Sequence, residues 1–564
     1  MSTSAASFIA GLIVALAGTG HGLERTDEAA RSADFDPLHR ADQPRLVLVI
    51  VLDQFPYDYL RRFRSHFGAG GFELLLERGA VLTSGRYEHA TTRTCPGHAV
   101  ILSGTHADIN GIISNQWFSA AEDSVVSCVT DAAFHLIGAE GYGRSPQRFL
   151  GSTVGDALKR ATNGRARVVS MSFKDTSAIM MGGRLADEAY WVEDSLFVTS
   201  AYYMDRLPDW VRGFNGAARF SSHFGSTWDR LLPAEAYALQ GPDDAPGEDG
   251  GDGLGRVFPH PVDGGSSTMS SAFLDAFGKT PFANEVLEAF AEEVIVNEGL
   301  GQDEITDLLA VSFSANDKAG HAYGPDSHEV MDLTVRTDRL LARLFAFLED
   351  RVGLESTVIV LTADHGIAPL PEALRRLHSE VHTGRIHPDR LREAAEAALV
   401  EAYGSAPGSR SWLRAYVEHH FYLDHSLLAE RDIPREAAAR VLALALSRLE
   451  GIHEAFTHAD LVRAAVRGEP GIQALLSFHP HRSGDVFVHF DPFWFEYDEI
   501  YGTTHGSPWE YDARVPIILF GPGVRPGFYR EKSSVAQIAP TLAALLDVDV
   551  PTGSQRAALN AVLE

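Results

Sequence analysis

The chain has 564 residues, 45% of them hydrophobic and 10% aromatic, a composition that fits an ordered globular protein and excludes a disordered or fibrous one. Its 76 acidic residues against 48 basic ones give a formal charge of −28. A surface of that sign repels nucleic acid and anionic membrane, so neither is an expected partner, and an anionic substrate would need a locally positive site such as a bound metal.

In chain order, residues 1–20 come first. Their apolar run from Ala5 to Ala17 is shorter than the ~20 residues a membrane span needs. It ends in Ala15-Leu16-Ala17, a small-x-small pattern that reads as a signal peptide, with a buried N-terminal helix as the alternative. No later segment reads as a membrane span, so the expected location is periplasmic or secreted. A monomer is the expected state.

After a polar stretch, Leu46 to Leu52 forms a continuous apolar, β-branched run, the pattern of a strand buried on both faces. Similar runs follow at Ala166–Ser172, Leu308–Phe313, Thr357–Thr362 and Val515–Phe520, with amphipathic helical stretches such as Val330–Leu348 and Ala536–Leu546 between several of them. Buried strands alternating with helices predict an α/β fold with a parallel or mixed central sheet. Two long intervals, 176–304 and 371–494, read as cap insertions. The catalytic core is then 45–175, 305–370 and 495–550. Within the first interval, Gly241 to Gly253 is acidic but lacks the spaced ligands of a calcium loop, and reads as a solvated turn.

In such sheets ligands bind beyond the carboxyl ends of the strands. There the sequence places Asp53, Lys174, Asn316-Asp317 and Asp364-His365. Asp317 and His321 are four apart, so one helical turn puts them on the same face. His505 stands in the small-residue loop Gly502-Thr503-Thr504-His505-Gly506. Singly, each residue reads as a helix cap or an ordinary polar residue. Together, three Asp and three His at strand ends form a mixed oxygen and nitrogen donor set suited to zinc, and two close metals clamp an in-line phosphoryl transfer.

The segment Thr91-Thr92-Arg93-Thr94-Cys95-Pro96-Gly97-His98 leads into an apolar helix. Thr94 would sit near a helix N-terminus, where an anion is favoured, and metal coordination would activate its hydroxyl. Its alternative role is a plain N-cap. Cys95 and Cys128 are the only cysteines; they can pair in an oxidising compartment or stand as two buried thiols.

With these motifs the chain resembles the alkaline phosphatase superfamily over about residues 45–550. Within it, the chain is similar to the type I phosphodiesterase/nucleotide pyrophosphatase branch and its phosphate-irrepressible, threonine-nucleophile alkaline phosphatases. The resemblance implies a three-layer sandwich and two Zn2+, one held by Asp53, Thr94, Asp364 and His365 and the other by Asp317, His321 and His505. It implies that Asn115 and Lys174 contact the phosphoryl group. It also implies hydrolysis of phosphate monoesters through a phosphothreonine, with a phosphodiesterase or nucleotide pyrophosphatase as the alternative. The branch's phosphatases carry Lys-Asp-Arg where this chain has Lys174-Asp175-Thr176. A sulfatase is disfavoured because Cys95 is followed at once by Pro96, without the Cys-x-Pro-x-Arg pattern. A non-catalytic binding protein is disfavoured because all seven ligand positions are filled.

Overall fold

The computed structural model describes residues 43–464 and 471–564, so the expected signal peptide, 1–20, lies outside the described residues. Every residue of the strand Leu46–Leu52 is buried, as its unbroken apolar run requires. This strand pairs in parallel with Asp307–Phe313 on one side and Thr357–Thr362 on the other. Val168–Ser172 extends the sheet in parallel from Asp307–Phe313, and Glu188–Glu193 extends it again. These five strands are the parallel centre of an eleven-stranded sheet.

The edges are mixed. Ile517–Phe520 runs antiparallel to Thr357–Thr362, and Ala80–Leu82 and Gly527–Tyr529 complete that side. On the other side Leu196–Ser200, Thr130–Ile137 and Tyr142–Arg144 follow in antiparallel order. Strands buried on both faces need helices over both faces. One helical group contains Thr94–Ser103, Val154–Ala161, Asp175–Gly182 and Ile538–Leu546; another contains Phe72–Arg78, Pro281–Asn297, Ala315–Tyr323 and His328–Arg351. No described helix is long and apolar enough to cross a membrane.

Register explains why chemistry collects at one end of the sheet. Leu52 is level with Phe313, Val51 with Thr362, and Ser312 with Ser172. The residues that follow, Asp53, Lys174, Asp317 and Asp364, therefore leave the sheet at a common edge.

The interval 176–304 departs from the expected cap insertion. Its segments Glu188–Glu193 and Leu196–Ser200 belong to the main sheet. Their large rings are core material, with Phe197 stacked on Phe290 of the helix Pro281–Asn297 at 3.7 Å between centroids. An aromatic-rich segment reads the same from sequence whether its rings line a cap or fill a core. The acidic loop is also not the solvated turn expected: Glu248 is buried, Gly502 N–H donates to Gly247 O at 2.7 Å, and Asp249 N–H donates to Ala322 O at 2.8 Å.

The interval 371–494 carries a separate four-stranded antiparallel sheet, ordered Leu413–Val417, His420–Leu423, Val486–Phe490 and Ile452–Thr457. The helices Pro388–Tyr403 and Arg435–Leu446 cover it. It has its own apolar core, including Leu391, Trp412, Leu442 and Val488.

Candidate metal centre

Asp53 ends the first strand, where its N–H still donates to Phe313 O at 3.0 Å. The chain then turns through Gln54, whose φ is 62°. Gln54 joins two of the predicted ligands: its N–H donates to Asp364 Oδ1 at 3.1 Å and its Nε2 donates to Asp317 Oδ1 at 2.8 Å. Asp317 and His321 share one face of the helix Ala315–Tyr323, with His321 Nε2 3.2 Å from Asp317 Oδ1. His505 Nε2 lies 3.6 Å from the same oxygen. His365 Nε2 is 3.2 Å from Asp364 Oδ2 and 3.6 Å from Asp53 Oδ1.

All three imidazoles are oriented alike. Nδ1 faces a backbone carbonyl in each: Thr503 O at 2.8 Å for His321, Gly366 O at 3.0 Å for His365, and Thr92 O at 2.7 Å for His505. A carbonyl only accepts, so Nδ1 carries a proton and Nε2 is the nitrogen turned to the site, where a bound metal would take its lone pair. These backbone contacts hold each ring in the orientation and tautomer that a metal needs.

Asp53, Asp364 and His365 each offer a ligand atom within 4.8 Å of the others, and Asp317, His365 and His505 do the same. His365 thus borders both groups, whereas the expectation assigned it to one; His321 attaches to the second through Asp317. Asp53 Oδ1, Asp364 Oδ2 and His365 Nε2 are buried with no hydrogen-bond partner among the described residues. Buried acceptors left unpartnered are costly unless a cation takes them. The donor set of carboxylate oxygens and imidazole nitrogens fits zinc.

The charges of the site are strongly interdependent. Burial, with the nearby Asp364 carboxylate, pushes Asp53 well above the usual carboxylate range. Burial also opposes ionisation of Asp317, but Lys174 and His321 hold it well below that range. Burial would lower His365, yet Asp364 brings it up to about 9, while burial and the neighbouring His365 and His321 hold His505 far below the ordinary imidazole value. The Lys174 ammonium lies between the two ligand groups, 2.7 Å from Asp53 Oδ2 and 2.5 Å from Asp317 Oδ2. It bridges carboxylates here, whereas the expectation placed it on a phosphoryl group.

Thr94 is the first residue of the helix Thr94–Ser103, and the N-cap is Arg93, so the plain N-cap role does not fall to Thr94. The helix start packs directly on a ligand segment. A Cβ at Gly97 would stand 2.3 Å from Asp364 O, so only glycine allows this approach. His98, one turn beyond Thr94, places Nδ1 2.9 Å from Thr94 O and Nε2 2.9 Å from Ser312 Oγ, and its ring approaches Asp364 Oδ2 at 3.3 Å. Asn115 Oδ1 accepts the Cys95 N–H at 2.8 Å, leaving its Nδ2 donors for other partners. Cys95 and Cys128 are joined in a disulfide, and Cys128 N–H donates to Asn115 O at 2.9 Å. Thr176 is half-buried in the first turn of Asp175–Gly182, beside Asp175, which pairs with Arg144 at 2.6 Å.

Asp53, Lys174, Asp317, His321, Asp364, His365 and His505 therefore lie together at the carboxyl edge of the parallel strands, with the start of the Thr94 helix packed against Asp364 through Gly97 and His98. Gln54 and His98 were not anticipated. His98 carried a signal, its four-residue spacing from Thr94 on an expected helix. Gln54 carried none beyond its position after Asp53.

The sequence matches the type I phosphodiesterase / nucleotide pyrophosphatase family profile over residues 47–508. The chain belongs to that family. Among characterised proteins it is similar to alkaline phosphatase PhoV of Synechococcus elongatus, at 32% identity over 91% of this chain and 92% of that one. It is also similar to alkaline phosphatase PafA of Elizabethkingia meningoseptica, at 28% identity over 91% of this chain and 93% of that one. The crystal structure of wild-type PafA superposes with a TM-score of 0.87 at 28% identity, covering 93% of this chain and all of that one. Murine ectonucleotide pyrophosphatase/phosphodiesterase 5 shares the fold more distantly, with a TM-score of 0.53 at 13% identity.

Proposed function

We propose that this family member is an exported, zinc-dependent alkaline phosphatase that hydrolyses phosphate monoesters through a phosphothreonine on Thr94. The observation that carries the reading is the convergence of two Asp/His groups beside the Thr94 helix, with the Lys174 cation between them. The alkaline phosphatase activity named for PhoV and PafA supports it.

Asp53, Thr94, Asp364 and His365 would hold one Zn2+, and Asp317, His321 and His505 the other. Two such ions supply Lewis-acid charge that neutralises the phosphoryl group and makes hydroxyl deprotonation accessible near neutral pH. The Thr94 Oγ1 then forms a bond to phosphorus as the ester P–O bond opposite breaks, and the alkoxide leaves. Water attacks the phosphothreonine in line, releases inorganic phosphate and returns the hydroxyl to Thr94. Asn115 and Lys174 orient the phosphoryl oxygens left over, as hydrogen-bond donors to charge that grows in the transition state. The peptide dipoles at the start of Thr94–Ser103 favour the same anion.

A phosphodiesterase or nucleotide pyrophosphatase is the second reading, favoured by Thr176 where monoesterases carry a second cation. Comparing kcat/KM on an aryl monoester and the matching aryl diester, with zinc content measured on the same protein, decides between them. The expected result is two zinc ions per chain and a larger kcat/KM on the monoester. A larger value on the diester overturns the monoesterase reading.

A further inference from the structure

Among the contacts of the 371–494 insertion with the loops around Thr94, which include Ser477 accepting from the Ala90 and Thr91 N–H groups, one is a hairpin tip. The strands Leu413–Val417 and His420–Leu423 pair antiparallel with Val417 opposite His420, which leaves Glu418 and His419 as a two-residue turn. Both have positive φ, 44° and 73°, as a tight hairpin of this hand requires. Neither is glycine, the residue that adopts this backbone without strain.

Each tip residue spends its side chain on a loop that flanks Thr94. Glu418 Oε2 accepts from the Ser114 hydroxyl, from Asn115 N–H at 2.9 Å and from Gln116 N–H at 3.2 Å. One carboxylate oxygen thus ties down three consecutive residues centred on Asn115. The Asn115 side chain in turn holds the Cys95 amide, next to Thr94. On the other flank, His419 Nε2 lies 3.1 Å from Arg93 Nη2. A guanidinium only donates, so the imidazole accepts, consistent with burial and the adjacent Arg93 holding His419 far below its ordinary pKa. The Arg93 side chain also lies along Gly506, beside His505, where an added Cβ would stand 3.3 Å from Arg93 Nε.

We propose that the Glu418–His419 tip is a positioning element for the phosphate-binding side of the centre. Glu418 holds the 114–116 loop in the register that keeps Asn115 on the Cys95 amide and free to donate to phosphate, and His419 holds Arg93 against the His505 loop. The proposal rests on the reading that Asn115 contacts the phosphoryl group. Three charge-assisted bonds to one oxygen are costly to replace, and small displacements of a positioned donor lower rates steeply.

The test is a double-mutant cycle on the zinc-loaded enzyme with Glu418→Ala, Asn115→Ala and the pair, read as kcat/KM on an aryl phosphate, with zinc content and Tm measured in parallel. Glu418→Ala is expected to lower kcat/KM by roughly 10-fold in the wild-type background and by less than about 2-fold when Asn115 is already Ala, with zinc retained. Glu418→Gln, which keeps an acceptor oxygen, is expected to recover most of the loss; should the Ala variant not fold, Glu418→Asp, whose carboxylate is drawn back by one methylene, carries the cycle with the same expected pattern. Equal losses in both backgrounds, or no loss in the wild type, overturn the proposal while leaving the Asn115 reading intact. A wild-type kcat/KM for Asn115→Ala overturns that reading and this proposal with it.

Discussion

His365 and His505 stack face to face, with ring centroids 3.4 Å apart and planes within 11° of parallel. They come from separate parts of the chain, one from a parallel strand's exit and the other from a late loop. Their contact makes His365 the wall between the two ligand groups. His321 stands at the outer side, with 29% of its side chain exposed. His365→Ala is therefore expected to leave less than one zinc per chain, and His321→Ala about one, on the four-ligand economy of zinc sites. Metal analysis after dialysis checks this. Two zinc ions retained by His365→Ala would remove His365 from the shared position.

Thr176 sits two residues beyond Lys174, in a half-buried site where the branch's phosphatases carry Arg. A charge-assisted hydrogen bond is worth about 1.5–3 kcal/mol, or roughly 10- to 100-fold in rate. Thr176→Arg is expected to raise kcat/KM on aryl monoesters within that range and to leave aryl diesters nearly unchanged, because a diester carries one negative charge fewer. Parallel kinetics on the two substrates measures the ratio; an unchanged ratio argues against a dianion-selective role for this position.

Glu248 carries a pH dependence of known sign. Burial, with Glu329 nearby, pushes its carboxyl from 4.5 up to about 9, and its Oε2 accepts the Ala245 N–H at 2.9 Å. The folded protein therefore holds the proton where the unfolded chain has lost it. The stability this contributes is full below about pH 4.5 and is lost as pH rises toward 9, at up to about 1.4 kcal/mol per pH unit. Glu248→Gln keeps the acceptor and removes the ionisation. Its Tm is expected to match the wild type near pH 5 and to exceed it by a margin that grows toward pH 9. A pH-independent difference would show that Glu248 ionises freely in the fold.

The Cys95–Cys128 disulfide spans 33 residues next to the nucleophile. Loop closure of that length constrains the unfolded chain by about 3–4 kcal/mol. The Cys95→Ala, Cys128→Ala double variant is expected to unfold at correspondingly lower denaturant, by equilibrium urea titration. Because the bridge also braces the helix start and the Asn115 loop, kcat/KM should fall while zinc content stays.

Much of the architecture was legible because buried parallel strands have an unmistakable composition. Leu46–Leu52 is an unbroken apolar run, Asp307–Phe313 and Thr357–Thr362 are apolar apart from Asp307, Ser312 and the two terminal threonines, and a ligand follows the end of each. Glu188–Glu193 and Leu196–Ser200 were not legible, since their aromatic side chains and short antiparallel turn mimic a cap segment. The buried placement of Glu248 was hidden by its acidic, glycine-rich neighbours, whose backbone hydrogen bonds to distant loops leave no local trace. In the centre, side chains with metal-binding chemistry announced themselves. Gln54 bonds a ligand side chain, whereas His98 and Glu418 bond the backbone at Thr94 and Asn115, and such contacts depend on tertiary register that no short motif encodes.

The most direct test of Thr94 as nucleophile in a metal centre is to quench zinc-loaded enzyme in acid during turnover of an aryl phosphate and locate covalent phosphate by peptide mass spectrometry. The account predicts phosphate on Thr94 in the wild type, and for Thr94→Ala no phosphopeptide, nearly complete loss of turnover and retained zinc. Phosphate on another residue, or substantial turnover by Thr94→Ala, would contradict it.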